Sequence, residues 1–252
     1  MSKESIVLQA SSLVVDIGNT LTKVAVFKGN RIDFSDRAKE FNPNSIEGWI
    51  SKYGIERAII SSVGEIKGYF EEFLSQQVPT LKFSSQTPLP IKNCYKTQQT
   101  LGPDRLAAVV GASVLYENQN VLCIDSGTAI TYDLLTSCGE YLGGAISPGI
   151  DMRFKALNHF TAKLPLVSFN TKYPLVGNTT KMSIKSGVLN GVIAEVDNYI
   201  DSIRKQYSPL AVVFTGGNSF FFDKNLKNSI FVHSKLVLLG LNRILDYNEN
   251  LQ

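Results

Sequence analysis

Two short segments with the same pattern lie on opposite sides of this 252-residue chain. They read Asp16-Ile17-Gly18-Asn19-Thr20 and Asp125-Ser126-Gly127-Thr128, and each stands between two apolar runs. A short apolar run, a tight turn and a second apolar run are typical of a β-hairpin. The repetition predicts that the chain is built from two related halves, each of which carries one such hairpin.

The residues at the two predicted tips suit a phosphate group. Glycine lets a turn come close to a polyphosphate, and the small polar side chains of Asn19, Thr20 and Thr128 can donate beside exposed backbone N–H groups. An aspartate repels phosphate, so its presence indicates a cation that carboxylate or water oxygens can hold. Asp and Gly are also the usual residues of any tight turn, and this alternative stays open for each segment taken alone.

The rest of the chain alternates predicted strands with predicted helices. Short runs rich in Val, Ile, Leu or Tyr predict strands near residues 12–17, 22–27, 57–63, 80–84, 121–125, 129–135, 140–147 and 211–215. Helical spacing and start signals predict helices near residues 45–53, 68–77, 106–116, 151–157, 179–205 and 235–247.

The polar stretch near residues 117–120 separates the two halves. We therefore predict an N-terminal lobe, 1–117, with the first hairpin, and a C-terminal lobe, 118–252, with the second. The predicted fold class is α/β, with the two-lobed actin-like ATPase architecture and duplicated mixed-sheet domains. In that architecture a nucleotide is held between facing hairpins.

Composition narrows the class of protein. With 44% apolar residues the chain can build sizeable cores, and no run reaches the length of a membrane span. A net charge of +3 with scattered Lys and Arg does not indicate a nucleic-acid partner. Three cysteines without Cys-x-x-Cys spacing, and an N-terminal stretch without the apolar core of a secretory signal, favour a cytoplasmic protein.

The segment Gly102-Pro103-Asp104-Arg105 is the next candidate site. It places a carboxylate in the first turn of a predicted helix, where Pro and Asp are also favoured for structural reasons alone. The functional interpretation combines a glycine for close approach, an acid that can accept a proton and an arginine that can bind a carboxylate or phosphate as a fork.

Two glycine-rich segments remain open between a ligand-binding loop and a plain turn. They are Gly143 to Gly149 and Thr215 to Asn218, and both follow predicted strands. The two histidines, His159 and His233, have no partner at metal-ligand spacing and are interpreted as structural.

Taken together, five motifs in this order resemble the type III pantothenate kinase family over nearly the whole chain. They are Asp16-Ile-Gly-Asn-Thr-x-x-Lys23, Gly102-Pro-Asp-Arg105, Asp125-Ser-Gly-Thr-Ala129, Gly143-Gly-x-Ile-x-Pro-Gly149, and Gly177-x-x-Thr180 with Ser186-Gly187. The family belongs to the acetate and sugar kinase, Hsp70 and actin superfamily, in agreement with the two predicted lobes.

The resemblance implies ATP-dependent phosphorylation of pantothenate, the first step of coenzyme A biosynthesis, with Mg²⁺ and a potassium or ammonium ion. It implies a homodimer in which Thr180 acts on the neighbouring subunit's substrate. By the same resemblance Asp104 is the proton acceptor and Asp125 is the ligand of the monovalent cation. The implied ATP contacts are Asp16, Ile17, Gly18, Asn19, Thr20, Leu21, Thr22, Lys23 and Thr128. The implied pantothenate contacts are Tyr95, Gly102, Pro103, Asp104, Arg105 and Thr180.

Two other functions use the same scaffold. One is a kinase for another substrate, such as a sugar or acetate, because the fold does not determine the substrate. The other is a nucleotide-dependent switch, since the same family contains accessory factors named for an effect on transcription. Asp16, Asp104 and Asp125 together favour catalysis, because a pure binding module has no use for an acid that faces a hydroxyl group.

Overall fold

A computed structural model of the chain describes residues 10–18, 20–62 and 68–251. It divides the chain into two compact units that are not continuous in sequence. The first comprises residues 1–90, 96–114 and 236–252, and the second comprises 91–95 and 115–235. Compared with the sequence halves 1–117 and 118–252, the C-terminal helix lies in the first unit and a short segment around Tyr95 lies in the second.

The described residues of the first unit form a five-stranded mixed sheet and four α-helices. Its strands are β1 (Ser11–Ile17), β2 (Thr22–Lys28), β3 (Arg31–Ala38), β4 (Ile55–Ser62) and β5 (Thr80–Lys82). Its helices are α1 (Pro43–Tyr53), α2 (Gly68–Gln77), α3 (Pro103–Leu115), whose last residue already counts with the second unit, and α7 (Leu236–Glu249). The strand order is β3-β2-β1-β4-β5, with β1 antiparallel to β2 and parallel to β4.

Each face of this sheet is covered by helices. On one face Leu13, Val15 and Ile60 pack with residues of α1 and α2 into an apolar core. On the other face α7 packs against β1, β2 and β4. Ser12 Oγ donates to Asn242 Oδ1 on α7 at 2.6 Å, which identifies the α7 face. Because side chains alternate along a strand, Asp16 lies on this face as well.

The second unit contains a six-stranded mixed sheet and three α-helices. Its strands are β6 (Lys92–Asn93), β7 (Asn120–Ser126), β8 (Ala129–Leu135), β9 (Glu140–Pro148), β10 (Leu210–Thr215) and β11 (Phe231–Val232), and its helices are α4 (Ile150–His159), α5 (Thr180–Gln206) and α6 (Ser219–Asn225). The strand order is β11-β10-β7-β8-β9-β6. A core of Leu122, Ile124, Tyr132 and their neighbours packs against residues of these three helices.

The two sheets repeat one topology. Reversed, the second order is β6-β9-β8-β7-β10-β11. Its last five strands match β3-β2-β1-β4-β5 one for one, in pairing direction as well as order. The predicted duplication of a mixed sheet is therefore confirmed, and β6 is an addition at one edge. The strands β3, β6 and β11 and the helix α6 were not predicted. Val63, at the end of the predicted strand 57–63, lies outside the described residues.

The described part of the chain holds no helix with the length and apolar character needed to cross a bilayer.

Candidate active site

The first hairpin joins β1 to β2 and forms as predicted. Asp16 pairs with Lys23 and Ile17 pairs with Thr22 across the two strands. The loop between them is closed by a hydrogen bond from Gly18 N to Leu21 O at 3.1 Å. Thr20 is exposed at the tip. Asn19, the remaining predicted ATP contact of this loop, lies outside the described residues.

Asp16 has a raised pKa. Burial raises its pKa from 3.8 to about 6; the nearby Lys23 ammonium opposes that rise, and the negative charge of Asp104 adds to it. Lys23 Nζ lies 3.7 Å from Asp16 Oδ2. A carboxylate with this environment favours a proton or a cation beside it. Because the charge of Asp104 raises the pKa of Asp16, the two predicted site residues lie close enough for their charges to interact.

Ser61 is a site residue that the sequence did not single out. It is the register partner of Asp16 on the parallel strand β4, so both side chains lie on the same face of the sheet. Within the described part of the chain, Ser61 Oγ and Asp16 Oδ1 are both buried without a hydrogen-bond partner. Buried polar atoms are almost always satisfied by protein, water or ligand, so this pair indicates a position for a water molecule or an ion.

The Gly102–Arg105 segment begins helix α3, as predicted. Asp104 is half-buried in the first turn, and its Oδ1 accepts a hydrogen bond from Arg105 N at 2.9 Å. A Cβ at Gly102 would lie 2.5 Å from this oxygen, so only glycine leaves the carboxylate its place. Arg105 is buried. The missing side chain at Gly102 and the backbone N–H of Arg105 together determine the position of the Asp104 carboxylate.

Helix α3 is held by an unusually close crossing with α7. A Cβ at Gly111 would lie 2.2 Å from Leu236 O, and a Cβ at Gly240 would lie 1.7 Å from Ala107 O. The two glycines allow the helix backbones to touch, and the sequence carried no signal that related residues so far apart. The crossing fixes the helix that presents Asp104.

The second hairpin joins β7 to β8 and has a shorter tip. Asp125 pairs with Thr131 and Ser126 with Ile130, and Gly127 N donates to Ala129 O at 2.9 Å. Thr128 is exposed at the tip. Gly216, after β10, has a φ of +91°, and a Cβ there would lie 2.4 Å from both Asp125 Oδ1 and Ser126 O. The Thr215-Gly216 turn is thus built to approach Asp125 closely.

Most of the glycine-rich segment 143–149 lies in β9, where a strand near 140–147 was predicted, and not in a separate loop or turn. Residues 140–148 form β9, and a Cβ at Gly144 would lie 1.6 Å from Tyr132 O on β8. At its end, Gly149 N donates to Thr128 O at 3.1 Å. The segment therefore brings a second backbone against the tip of the hairpin.

The remaining predicted substrate contacts, Tyr95 and Thr180, belong to the second unit. The ring of Tyr95 stacks on Tyr141 at 6.1 Å between centroids, and a Cβ at Gly143 would lie 2.8 Å from the Tyr95 ring. Thr180 is the first residue of α5 and is exposed. Its neighbour Thr179 is the N-cap, and Thr179 Oγ1 accepts from Met182 N at 3.3 Å.

The residues near the two aspartates suit oxygen-binding cations more than transition metals. Among the described residues, no three His, Cys, Asp or Glu side chains form a metal cluster. The unpartnered Asp16 Oδ1, and the pair of oxygens from Asp125 and Ser126 that converge on Gly216, are hard donors. Hard donors of this kind fit Mg²⁺ or an alkali ion that keeps part of its water shell.

Comparison with solved structures shows the fold. A protein from Campylobacter jejuni assigned to the Baf family of transcriptional activators superposes with a TM-score of 0.62 at 23% identity, covering 94% of this chain and 99% of the other. A glucokinase from an Antarctic psychrotroph gives a TM-score of 0.54 at 15% identity over 94% and 99% of the two chains. The dehydratase activator from Clostridium difficile, solved with bound ADPNP, gives 0.53 at 14% identity over 96% and 97%. The predicted actin-like ATPase fold is confirmed.

Comparison with sequences shows the family. The model of the type III pantothenate kinase family matches residues 12–202. A type III pantothenate kinase of Phocaeicola vulgatus is 44% identical over 242 residues, which cover 95% of this chain and 100% of the relative. That of Christiangramia forsetii is 44% identical over 241 residues, with 94% and 99% covered. The chain therefore belongs to the type III pantothenate kinase family.

Proposed function

We propose that this protein transfers the γ-phosphoryl group of ATP to pantothenate and forms 4'-phosphopantothenate, the first step of coenzyme A biosynthesis. One observation carries the proposal beyond family membership. Asp104 at the start of α3 lies near enough to Asp16, on the first hairpin, to raise its pKa. An acid suited to an alcohol is thus beside a loop suited to phosphates.

The first hairpin binds the phosphates of ATP in this proposal. Its loop, closed by the Gly18 to Leu21 hydrogen bond, has the Thr20 hydroxyl exposed at its tip, and the pairing of Ile17 with Thr22 joins the loop to the sheet. Lys23 adds a positive charge beside Asp16. Thr128 of the second hairpin provides a further nucleotide contact, and Asn19 completes the set that the family resemblance implies.

Asp104 accepts the proton of the pantothenate hydroxyl. Phosphoryl transfer passes through a loose transition state, so the protein mainly aligns the two oxygens and neutralises charge. The Arg105 N–H bond to Asp104 Oδ1 fixes the carboxylate for that purpose. Gly102, Pro103, Arg105, Tyr95 and Thr180 are the proposed contacts that bind the rest of pantothenate.

Cations are needed because the site combines carboxylates with phosphates. When bound, Mg²⁺ neutralises phosphate charge, and a potassium or ammonium ion does so beside Asp125. Asp16, with its unpartnered oxygen, and Asp125, with the adjacent Ser126 carbonyl, are the residues that would hold them.

The test is release of ADP with and without pantothenate from the wild type and from Asp104→Asn. We expect Asp104→Asn to fold and bind ATP but to lose about 10²–10⁴-fold in pantothenate-dependent turnover, the usual contribution of a general base. Asp151→Asn is the matched control, since Asp151 is also an acid in the first turn of a helix and is exposed.

If Asp104→Asn turned over pantothenate at the wild-type rate, the role of Asp104 as general base would be contradicted. ADP release that needs a sugar or acetate in place of pantothenate would identify another kinase. Nucleotide binding without turnover on any of these alcohols or acids would indicate a switch.

The active form in this proposal is a cytoplasmic homodimer. Exposed apolar side chains stand just before and within the start of α5, with Leu175 79% and Val176 81% exposed. Val176 and Met182 also line an open cavity of about 450 Å³. Apolar surface of this kind is typical of an interaction site. We expect Val176→Asp to shift the wild-type dimer toward monomer in sedimentation. It should also weaken pantothenate binding, because Thr180 would no longer lie beside the neighbouring subunit's substrate. An unchanged dimer would contradict the assignment.

A further inference from the structure

A network of four polar side chains ties the end of β9 to helix α5 in the second unit. We name Tyr132, Ser147, Arg153 and Glu195 the Arg153 clamp. Arg153 Nε donates to Pro148 O at 2.8 Å, and its Nη2 donates to Ser147 Oγ at 2.8 Å and to Glu195 Oε2 at 2.7 Å. One guanidinium therefore holds the last two residues of β9 against α5, a use of its planar fork that lysine cannot reproduce.

Glu195 also accepts a hydrogen bond from a residue of another strand. Its Oε1 accepts a hydrogen bond from Tyr132 on β8 at 3.0 Å. Burial alone would raise the pKa of Glu195, but the hydrogen bonds from Arg153, Ser147 and Tyr132 and the Arg153 charge outweigh it, and the pKa lies below its ordinary value. The carboxylate is ionised at neutral pH, so the clamp is a persistent charged contact.

The strand end that the clamp holds is in direct contact with the tip of the second hairpin. Pro148 pairs with Ala129, and Gly149 N donates to Thr128 O at 3.1 Å. A Cβ at Gly149 would lie 2.3 Å from Thr128 O and 2.5 Å from Gly127 O. The two backbones are packed in direct contact, so a shift of residues 148–149 must move Thr128.

Attachment of α4 does not depend on the clamp. Ile150 and Phe154 of this helix are fully or almost fully buried in the core of the second unit. A partly exposed ion pair contributes little to stability. The buried residues of α4 therefore already anchor the end of β9 without the clamp. This indicates that the clamp adjusts the local position of the strand end and does not stabilise the fold.

We propose that Arg153 and Glu195 are positioning residues that orient the Thr128 hydroxyl for the nucleotide, acting through Pro148 and Gly149. This inference rests on the proposed function, in which Thr128 is a contact for ATP.

The test is the dissociation constant of ADP, measured by calorimetry on the full-length protein. We expect Glu195→Gln and Arg153→Met to raise it about tenfold, while the KM for pantothenate stays within about twofold. The matched control is Asp201→Asn on the same helix, because Asp201 forms an ion pair with Lys227 at 2.6 Å away from the hairpin. It should leave the ADP dissociation constant unchanged.

A double-mutant cycle separates positioning from general damage. If Glu195 acts through the Thr128 hydroxyl, Glu195→Gln should change ADP binding less than about twofold in a Thr128→Ala background. Should Glu195→Gln fail to fold, Tyr132→Phe removes one hydrogen bond to the same carboxylate, and its expected effect is a two- to threefold rise that also disappears with Thr128→Ala.

Unchanged ADP binding in the folded variants, an equal loss in Asp201→Asn, or full additivity with Thr128→Ala would each overturn the inference. A wild type that binds ADP without phosphorylating pantothenate would overturn the proposed function and leave this test intact. A wild type that binds no ADP would overturn both.

Discussion

The two hairpins occupy the same place in two sheets of the same topology, yet their surroundings differ. Asp16 faces Lys23 across its hairpin, has Ser61 as its neighbour on β4, and is buried with a raised pKa. Asp125 faces Thr131, has Thr215 as its neighbour on β10, and is only half-buried. A hydroxyl residue therefore stands beside each aspartate on the parallel strand, but only Asp16 faces a cation.

The tips differ as well. The first is a four-residue turn closed on itself by the Gly18 to Leu21 hydrogen bond. The second is a two-residue tip against which Gly149 and Gly216 bring neighbouring backbone. Duplication thus conserved the strand pairing, while local packing produced a four-residue loop beside the positive charge of Lys23 in the first unit and a short tip contacted by neighbouring backbone in the second. This difference fits a phosphate loop in the first unit and a cation and nucleotide contact in the second.

Of the changes that test this comparison of the two hairpins, replacing Asp16 or Asp125 by asparagine should have the largest effect. We expect Asp16→Asn to lower turnover about 10²–10³-fold in any salt, since it removes the carboxylate that would hold the cation neutralising the phosphates. Wild-type activity should require potassium or ammonium and fail in sodium alone, and Asp125→Asn should abolish that preference.

Rates in the three chloride salts, measured for the wild type and both variants, check this contrast. Equal wild-type rates in all three would remove Asp125 from the cation role. A salt preference lost in Asp16→Asn instead would reverse the two assignments.

Replacing a glycine beside each tip by alanine should lower the free energy of unfolding by different amounts in the two units. Gly216→Ala forces a side chain into a left-handed backbone, 2.4 Å from Asp125 Oδ1, and we expect a loss of roughly 3 kcal/mol in the free energy of unfolding. A Cβ at Gly18 would lie 3.1 Å from Leu21 O, and Gly18→Ala should cost about 1 kcal/mol or less. Urea unfolding measures both, and an equal cost would mean that the second tip is not the more tightly packed.

The pH dependence of stability should carry the signature of Asp16. Its pKa is raised from 3.8 to about 6, so between these values the folded protein binds more protons than the unfolded chain. The free energy of unfolding must then fall as pH rises through this window, by up to about 3 kcal/mol for a shift of this size. Urea unfolding from pH 4 to 7.5 should show this slope in the wild type relative to Asp16→Asn, and a pH-independent difference would contradict the buried, proton-binding state.

Much of the site was accessible from sequence because its parts are short and local. A hairpin tip, a helix start and a strand are each encoded within a few residues, and the family motifs around Asp16, Asp104 and Asp125 are of this kind. The sequence carried no sign of the roles of Ser61 and Arg153, because each has a partner that is remote in the chain. A serine at the end of an apolar strand, or an arginine in an amphipathic helix, has nothing unusual among its sequence neighbours.

The sequence by itself determined the duplicated strand pattern, the positions of both hairpins, the helix that presents Asp104 and the family. Only the tertiary structure decided which groups surround them. The α7 helix joins the first unit through contacts such as Ser12 with Asn242, 230 residues apart. The raised pKa of Asp16, the unpartnered Ser61 hydroxyl and the Arg153 clamp arise from burial and from partners on other strands and helices. Hydrogen bonds and electrostatic energies depend on distances in space, and residues remote in sequence carry no local pattern that reports them.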